Sequence, residues 1–126
     1  MENEIQLAPD GTFEKLEVWQ GAVELAVLVY DIFRGTRDRA FRDQIQRAAL
    51  SISNNIAEGY ERSSNAEFVH FLDIARGSCG EVRSQLHVAL RLGLVPQEKA
   101  QSAIADAKRL SKRIARLIVV RRQNFR

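Results

Sequence analysis

The strongest constraint on this chain is the spacing of its apolar residues. They return every three or four positions through four long stretches, a period that suits a helix with one buried face. From about Leu16 to Arg34, the residues Leu16, Trp19, Val23, Ala26, Tyr30 and Phe33 keep that period. Asp38 is suited to cap a second helix that reaches Glu58 or Tyr60, with Phe41, Ile45, Ala48, Ile52 and Ile56 as its stripe. The third segment opens on Ser64-Asn65-Ala66-Glu67, the spacing of a capping box. Its stripe is the cleanest: Phe68, Leu72, Ala75, Cys79, Val82, Leu86 and Ala89. Gly93 stands where a helix end needs a left-handed residue, and Pro96 where the first turn of a new helix tolerates one. The fourth segment presents Ala103, Ala107, Leu110, Ile114 and Leu117.

Only two prolines and seven glycines punctuate 126 residues, and the links between segments are short, which forces antiparallel neighbours. The expected fold class is all-α: one antiparallel up-down-up-down four-helix bundle over residues 13–123. A flexible N-terminal segment, 1–12, precedes it and a C-terminal tail, 124–126, follows. Cys79 is the single cysteine, so no internal disulfide is expected. The opening MENEIQLAPDGTF has neither a basic start nor an apolar run and does not read as a signal peptide. The longest apolar run, Leu25 to Tyr30, has six residues and is too short for a bilayer. A cytoplasmic location without a membrane partner is the expectation.

The first segment carries more apolar surface than a free-standing bundle requires. Beside its first stripe, Val18, Ala22, Leu25, Val29 and Ile32 step by four and three as a second. The preferred expectation is that this second stripe is an oligomer interface; the alternative is that the first helix is more deeply buried within its own chain.

Charge is unevenly spread. Residues 1–33 hold seven acidic groups and one basic, net −6; residues 34–96 hold nine basic and seven acidic, net +2; residues 97–126 hold nine basic and two acidic, net +7. Arginine outnumbers lysine fifteen to four. A chain with one acidic and one basic end suits a polyanion or head-to-tail copies of itself, and arginine pairs bidentately with phosphate or carboxylate in either case. On the fourth segment, Lys108, Arg109, Lys112, Arg113 and Arg116 fall within an arc of about 140° at 100° per residue, continued by Arg121 and Arg122. A solvated face is the usual meaning of a charge run, but here only Asp106 lies nearby to neutralise it. No aromatic residue interleaves with these positions, so contact would be to backbone phosphate and not to stacked bases.

Other candidates are weaker. Glu67-x-x-His70 resembles half of a di-iron motif, but no second copy exists, and His87 is seventeen residues further along the same helix. Cys79 occupies an apolar stripe and reads as a small hydrophobe. Gly77 and Gly80 each cost about 0.8–1 kcal/mol mid-helix relative to alanine. Close approach of another helix near Ala48 and Ala49 is the expected reason, and Gly77→Leu is then expected to damage folding. Arg47, Ser51, Asn54 and Glu58 share a face of the second segment, a polar row that points to a hydrogen-bonded network at a helix or subunit contact. No nucleophile–base–orienter trio and no phosphate-cradling glycine loop is apparent, so no enzyme, metal or cofactor is expected.

Three stretches carry a family resemblance: Phe13 through Gln20 (FEKLEVWQ), Arg47 through Arg62 (RAALSISNNIAEGYER) and Glu67 through Leu86 (EFVHFLDIARGSCGEVRSQL). With them the chain resembles, over about residues 13–120, the four-helix-bundle family named after proteins encoded in intervening sequences of bacterial 23S ribosomal RNA genes. Phe33-Arg34-Gly35-Thr36-Arg37 departs from the proline-containing link usual there. The resemblance implies a ring-shaped homo-pentamer. The family is also similar to the basic, pentameric accessory proteins of diversity-generating retroelements, which partner nucleic acid and a reverse transcriptase; this chain resembles that branch less closely. The resemblance supplies no catalytic residues. The reading is a non-enzymatic oligomer whose basic fourth helix binds nucleic acid, structured RNA in particular, through phosphates. Its rival is a protein–protein interaction adaptor or scaffold with no nucleic-acid role, whose basic face docks an acidic partner protein or a neighbouring subunit.

Overall fold

The computed structural model describes residues 11–124. The expected N-terminal segment 1–12 lies outside the described residues except for Gly11 and Thr12, and the tail 124–126 except for the backbone of Asn124. A short 3-10 turn, Phe13–Lys15, leads into α1, Glu17–Ile32. Then follow α2, Arg39–Glu61, α3, Asn65–Leu92, and α4, Gln97–Asn124. The described residues contain no strand, and none of these helices is long and apolar enough to cross a membrane.

The helix ends follow from particular side chains. The Asp38 carboxylate accepts the Phe41 N–H at 3.0 Å, and the Ser64 hydroxyl accepts the Glu67 N–H at 3.1 Å. Each satisfies one of the amides that a helix start leaves without a carbonyl. Gly93 ends α3 in the left-handed conformation, φ 68°. There the Leu94 N–H reaches back to the Ala89 carbonyl at 3.0 Å and the Gly93 N–H to Leu90 at 3.1 Å. This is the paired bonding of a Schellman turn, which a residue without Cβ adopts at no steric cost.

Helices consecutive in the chain pack on one another, and α1 closes the square against α4. Side-chain contacts fix the antiparallel register. The Cys79 thiol meets the Ala107 carbonyl at 3.1 Å, and the start of α3 meets the end of α4 where Asn65 Nδ2 donates to the Arg121 carbonyl at 3.1 Å. At one end of the bundle the two links are tied together, because the Thr36 hydroxyl donates to the Leu94 carbonyl at 2.9 Å. The core takes the expected stripes of α2, α3 and α4, with Phe41 only partly covered and stacked on Phe33 at 6.0 Å.

Two expectations are corrected here. Val18, Ala22, Leu25, Val29 and Ile32 are not an exposed oligomer interface; they are buried to 6% exposure or less in the chain's own core. Of the other stripe, Leu16, Ala26 and Phe33 are buried too, and Trp19, Val23 and Tyr30 are left partly or largely outside, beside Val27, which belongs to neither stripe and is 65% exposed. The reason is geometric. Both stripes keep the helical period, and α1 must turn one arc toward α2 and α4 together, so the stripe between those two neighbours becomes core. The second correction concerns the glycines. A Cβ at Gly77 or Gly80 would meet nothing within 4 Å, so neither permits a close helix approach. That role belongs to Gly59, where a Cβ would lie 2.6 Å from Phe71 Cβ and 3.1 Å from Phe68 Cδ1.

Candidate nucleic-acid interface

The sequence of α4 separates its two sides apart from Val119, which is 50% exposed within the basic arc. Ala100, Ala103, Ala107, Leu110, Ile114, Leu117 and Ile118 are buried. The long basic side chains therefore project from the remaining arc, and Lys108, Arg109, Lys112, Arg113, Arg116 and Arg122 are all exposed. With Lys108 set at zero, they fan out at roughly −40° for Arg122, 40° for Lys112, 80° for Arg116, 100° for Arg109 and 140° for Arg113.

Ion pairing divides this face. Arg109 pairs with Asp106 of its own helix, and Arg113 reaches across to Glu17 of α1 at 2.7 Å. Lys99 approaches Asp31 of α1 at 3.8 Å. The acidic strip of α1 thus neutralises the edge of α4 that adjoins it. Such exposed pairs contribute little to stability, about 0–1 kcal/mol, but they do compensate charge. Lys108, Lys112, Arg116 and Arg122 make no ion pair among the described residues. Four cations therefore stand side by side without a carboxylate, an arrangement suited to contacting a row of phosphates.

Arg121 does not belong to that face. It lies about 220° around the helix from Lys108 and is half-buried. Its Nε donates to Asn65 Oδ1 at 2.6 Å, and its guanidinium lies 4.9 Å over the Phe68 ring. Burial lowers its pKa, with Tyr60 acting in the opposite sense. Arg121 is a clamp between α4 and α3.

The polar row of α2 is likewise regrouped. The Ser51 hydroxyl shares a 2.9 Å hydrogen bond with Ser78 of α3 and accepts from Asn55 Nδ2 at 2.9 Å, while the same amide donates to the Ser51 carbonyl at 2.8 Å. Arg47, Asn54 and Glu58 stay exposed outside this network, and Glu58 pairs with Arg62 at 2.7 Å. The network joins α2 to α3 as expected of such a row, but its members are Ser51, Asn55 and Ser78. Only Ser51 of the expected row takes part; Asn55 stands four residues further on, a spacing that could have singled it out, whereas only the fold brings Ser78 opposite.

The GYER end of the stretch from Arg47 to Arg62 is also structural. Tyr60 packs edge-on against Phe68 at 5.6 Å, and Arg62 lies 4.9 Å over Phe71, beside the Gly59 contact already described. Cys79 is buried, and desolvation pushes its thiol up to about 11, against smaller opposing effects of Arg83 and the Ser111 backbone. The described residues hold no group of three or more His, Cys, Asp and Glu able to hold a metal ion, and Glu67 and His70 are both exposed.

Comparison with known proteins gives a consistent result. The bundle is similar to the crystal structure of a protein of unknown function from the S23 ribosomal protein family of Bacteroides thetaiotaomicron VPI-5482. The TM-score is 0.74 and the sequence identity 25%, covering 80% of this chain and 97% of that one. No curated protein matches. The family model for the 23S rRNA-intervening sequence protein matches residues 14–116, which takes in three helices and most of the fourth, and the chain belongs to that family.

Proposed function

We propose that this protein is a non-enzymatic homo-oligomer that binds nucleic acid, structured RNA in particular, through the phosphates facing α4. The observation that carries the proposal is the uncompensated row Lys108, Lys112, Arg116 and Arg122, with Arg109 and Arg113 at its α1 edge. Membership of a family named for a ribosomal RNA insertion supports RNA over other polyanions. The strip of partly exposed Trp19 and Val23 with exposed Val27 and Tyr30 supports self-association, with the pentameric ring implied by the family likeness as the assembly proposed. A ring of identical copies repeats the basic face, and repetition raises avidity without new contacts.

The test is binding of fluorescent double-stranded RNA, duplex DNA and a structured ribosomal RNA fragment across a salt series. The expected result is a linear fall of log affinity with log salt, at about −0.9 per phosphate neutralised on duplex DNA, and a preference for the structured RNA near physiological salt. Binding to none of the three at low salt would reassign the basic face to a protein partner, as in an adaptor.

A further inference from the structure

The unpaired cations of α4 lie outside its α1 edge, with Lys108 and Arg122 furthest round toward α3, and α3 has a basic row of its own. Arg83, His87 and Arg91 follow one another at four-residue intervals, so they stack along one side of the helix. That side adjoins α4: the Cys79 thiol bonds to the Ala107 carbonyl, and Arg83 acts electrostatically on the same thiol. The three residues border an open groove of about 690 Å³ together with Gly80, Ser84, Val88 and Leu92, all on α3, and no carboxylate lines it. A second depression continues from His87 and Arg91 past Gly93 to Gln97 at the start of α4, again without a carboxylate. The hollow between α1 and α4 is different, because Glu24 and Asp106 share it with Arg109 and Arg113. Arg83 and Arg91 make no ion pair among the described residues.

We infer that the groove of Arg83, His87 and Arg91 on α3 is part of the nucleic-acid footprint, so that the phosphate track crosses from α4 onto α3 and avoids α1. This inference rests on the nucleic-acid reading above. The register set by Cys79 and Ala107 places Arg83 and Lys108 about 7.5 Å apart along the bundle axis, and the span from Arg91 to Arg122 is about 40 Å at 1.5 Å per residue. A backbone following this line meets the α4 cations along one half of the bundle and the α3 cations along the other. The groove also gives Gly80 a purpose that packing does not. A Cβ there touches nothing in the chain, yet glycine in a helix interior costs roughly 0.8–1 kcal/mol relative to alanine. An absent side chain at the head of the row leaves room for a phosphate and sugar to approach the helix.

The test compares the full-length protein with Arg83→Gln/Arg91→Gln on the structured ribosomal RNA fragment, with Arg47→Gln on the outer face of α2 as the control. Oligomeric state and melting temperature are followed in parallel. The expected result is a loss of affinity of about tenfold and a salt slope shallower by one to two phosphate contacts, with assembly and melting unchanged and the control like wild type. A second variant, Gly80→Gln, fills the groove without touching the charges and is expected to weaken binding while leaving the melting temperature equal or higher. Wild-type binding with both variants unaffected would overturn this inference and leave the α4 reading standing. Failure of the wild type to bind would remove both. Loss of assembly in the arginine variant would make the groove an interface between copies, which also overturns it.

Discussion

At the scale of single residues, the glycines show how contacts decide what a sequence rule leaves open. Gly59 is squeezed against Phe71 and Phe68, whereas Gly77 faces open space. Gly59→Ala is therefore expected to destabilise the fold by about 1–3 kcal/mol through overpacking. Gly77→Ala is expected to stabilise it by about 0.5–1 kcal/mol through helix propensity. Chemical denaturation of the two variants side by side checks both signs. The expectation that Gly77→Leu damages folding is withdrawn, since no neighbour stands in its way. Cys79 gives a pH prediction. Its thiol is held neutral by burial, so the folded pKa, about 11, lies above the ordinary 9.0. The folded state keeps its proton where the unfolded chain has lost it. This contribution to stability is complete below pH 9.0 and declines as pH rises toward 11, and it is absent from Cys79→Ala. Denaturation midpoints of the two proteins between pH 8 and pH 11 are therefore expected to converge on the alkaline side.

At the scale of elements, most of the fold was legible because each segment carries a helical stripe between recognisable ends. Asp38, Ser64 and Gly93 perform the capping their residue types suggest. What was not legible was which of two parallel stripes on α1 turns inward, since periodicity fixes a face only relative to its own helix. Arg121 was misplaced for a related reason. Charge count assigned it to the basic run, but its angle around α4 turns it toward Asn65 and Phe68. Of the α2–α3 network only Ser51 was in the expected row: Asn55 lies next to Asn54, the asparagine of that row, and Ser78 lies on another helix. The Asn65–Arg121 clamp yields an element-scale prediction. Asn65→Ala removes the acceptor of one hydrogen bond and the donor of another, and is expected to cost about 1–3 kcal/mol. Amide exchange is then expected to speed up in the last turns of α4, with the middle of the helix unchanged. Equal acceleration along the whole helix would mean that the clamp holds the bundle and not its end.

At the scale of the whole molecule, exposed apolar residues stand on α1, as Val27 and Tyr30, and also beside the cations of α3 and α4, as Val88, Leu92 and Val119. The acidic strip of α1 compensates one edge of α4 through Glu17 and Asp31, and leaves the α3 edge positive. The apolar strip of α1 runs through partly covered Val23 to exposed Val27 and Tyr30. Assembly and nucleic-acid contact are therefore separable in this account. Val27→Glu with Tyr30→Glu is expected to yield folded monomers by light scattering, with unchanged helicity and weaker RNA binding through lost avidity. A monodisperse wild-type monomer would remove the oligomer from the account.

The central claim is that the unpaired cations of α4 bind RNA phosphates. Its most direct test is the affinity of Lys108→Glu/Lys112→Glu/Arg116→Glu for the structured ribosomal RNA fragment, measured with its oligomeric state. The account predicts that binding is abolished and assembly retained. Undiminished RNA binding, or an oligomer that falls apart on the same substitutions, would contradict it.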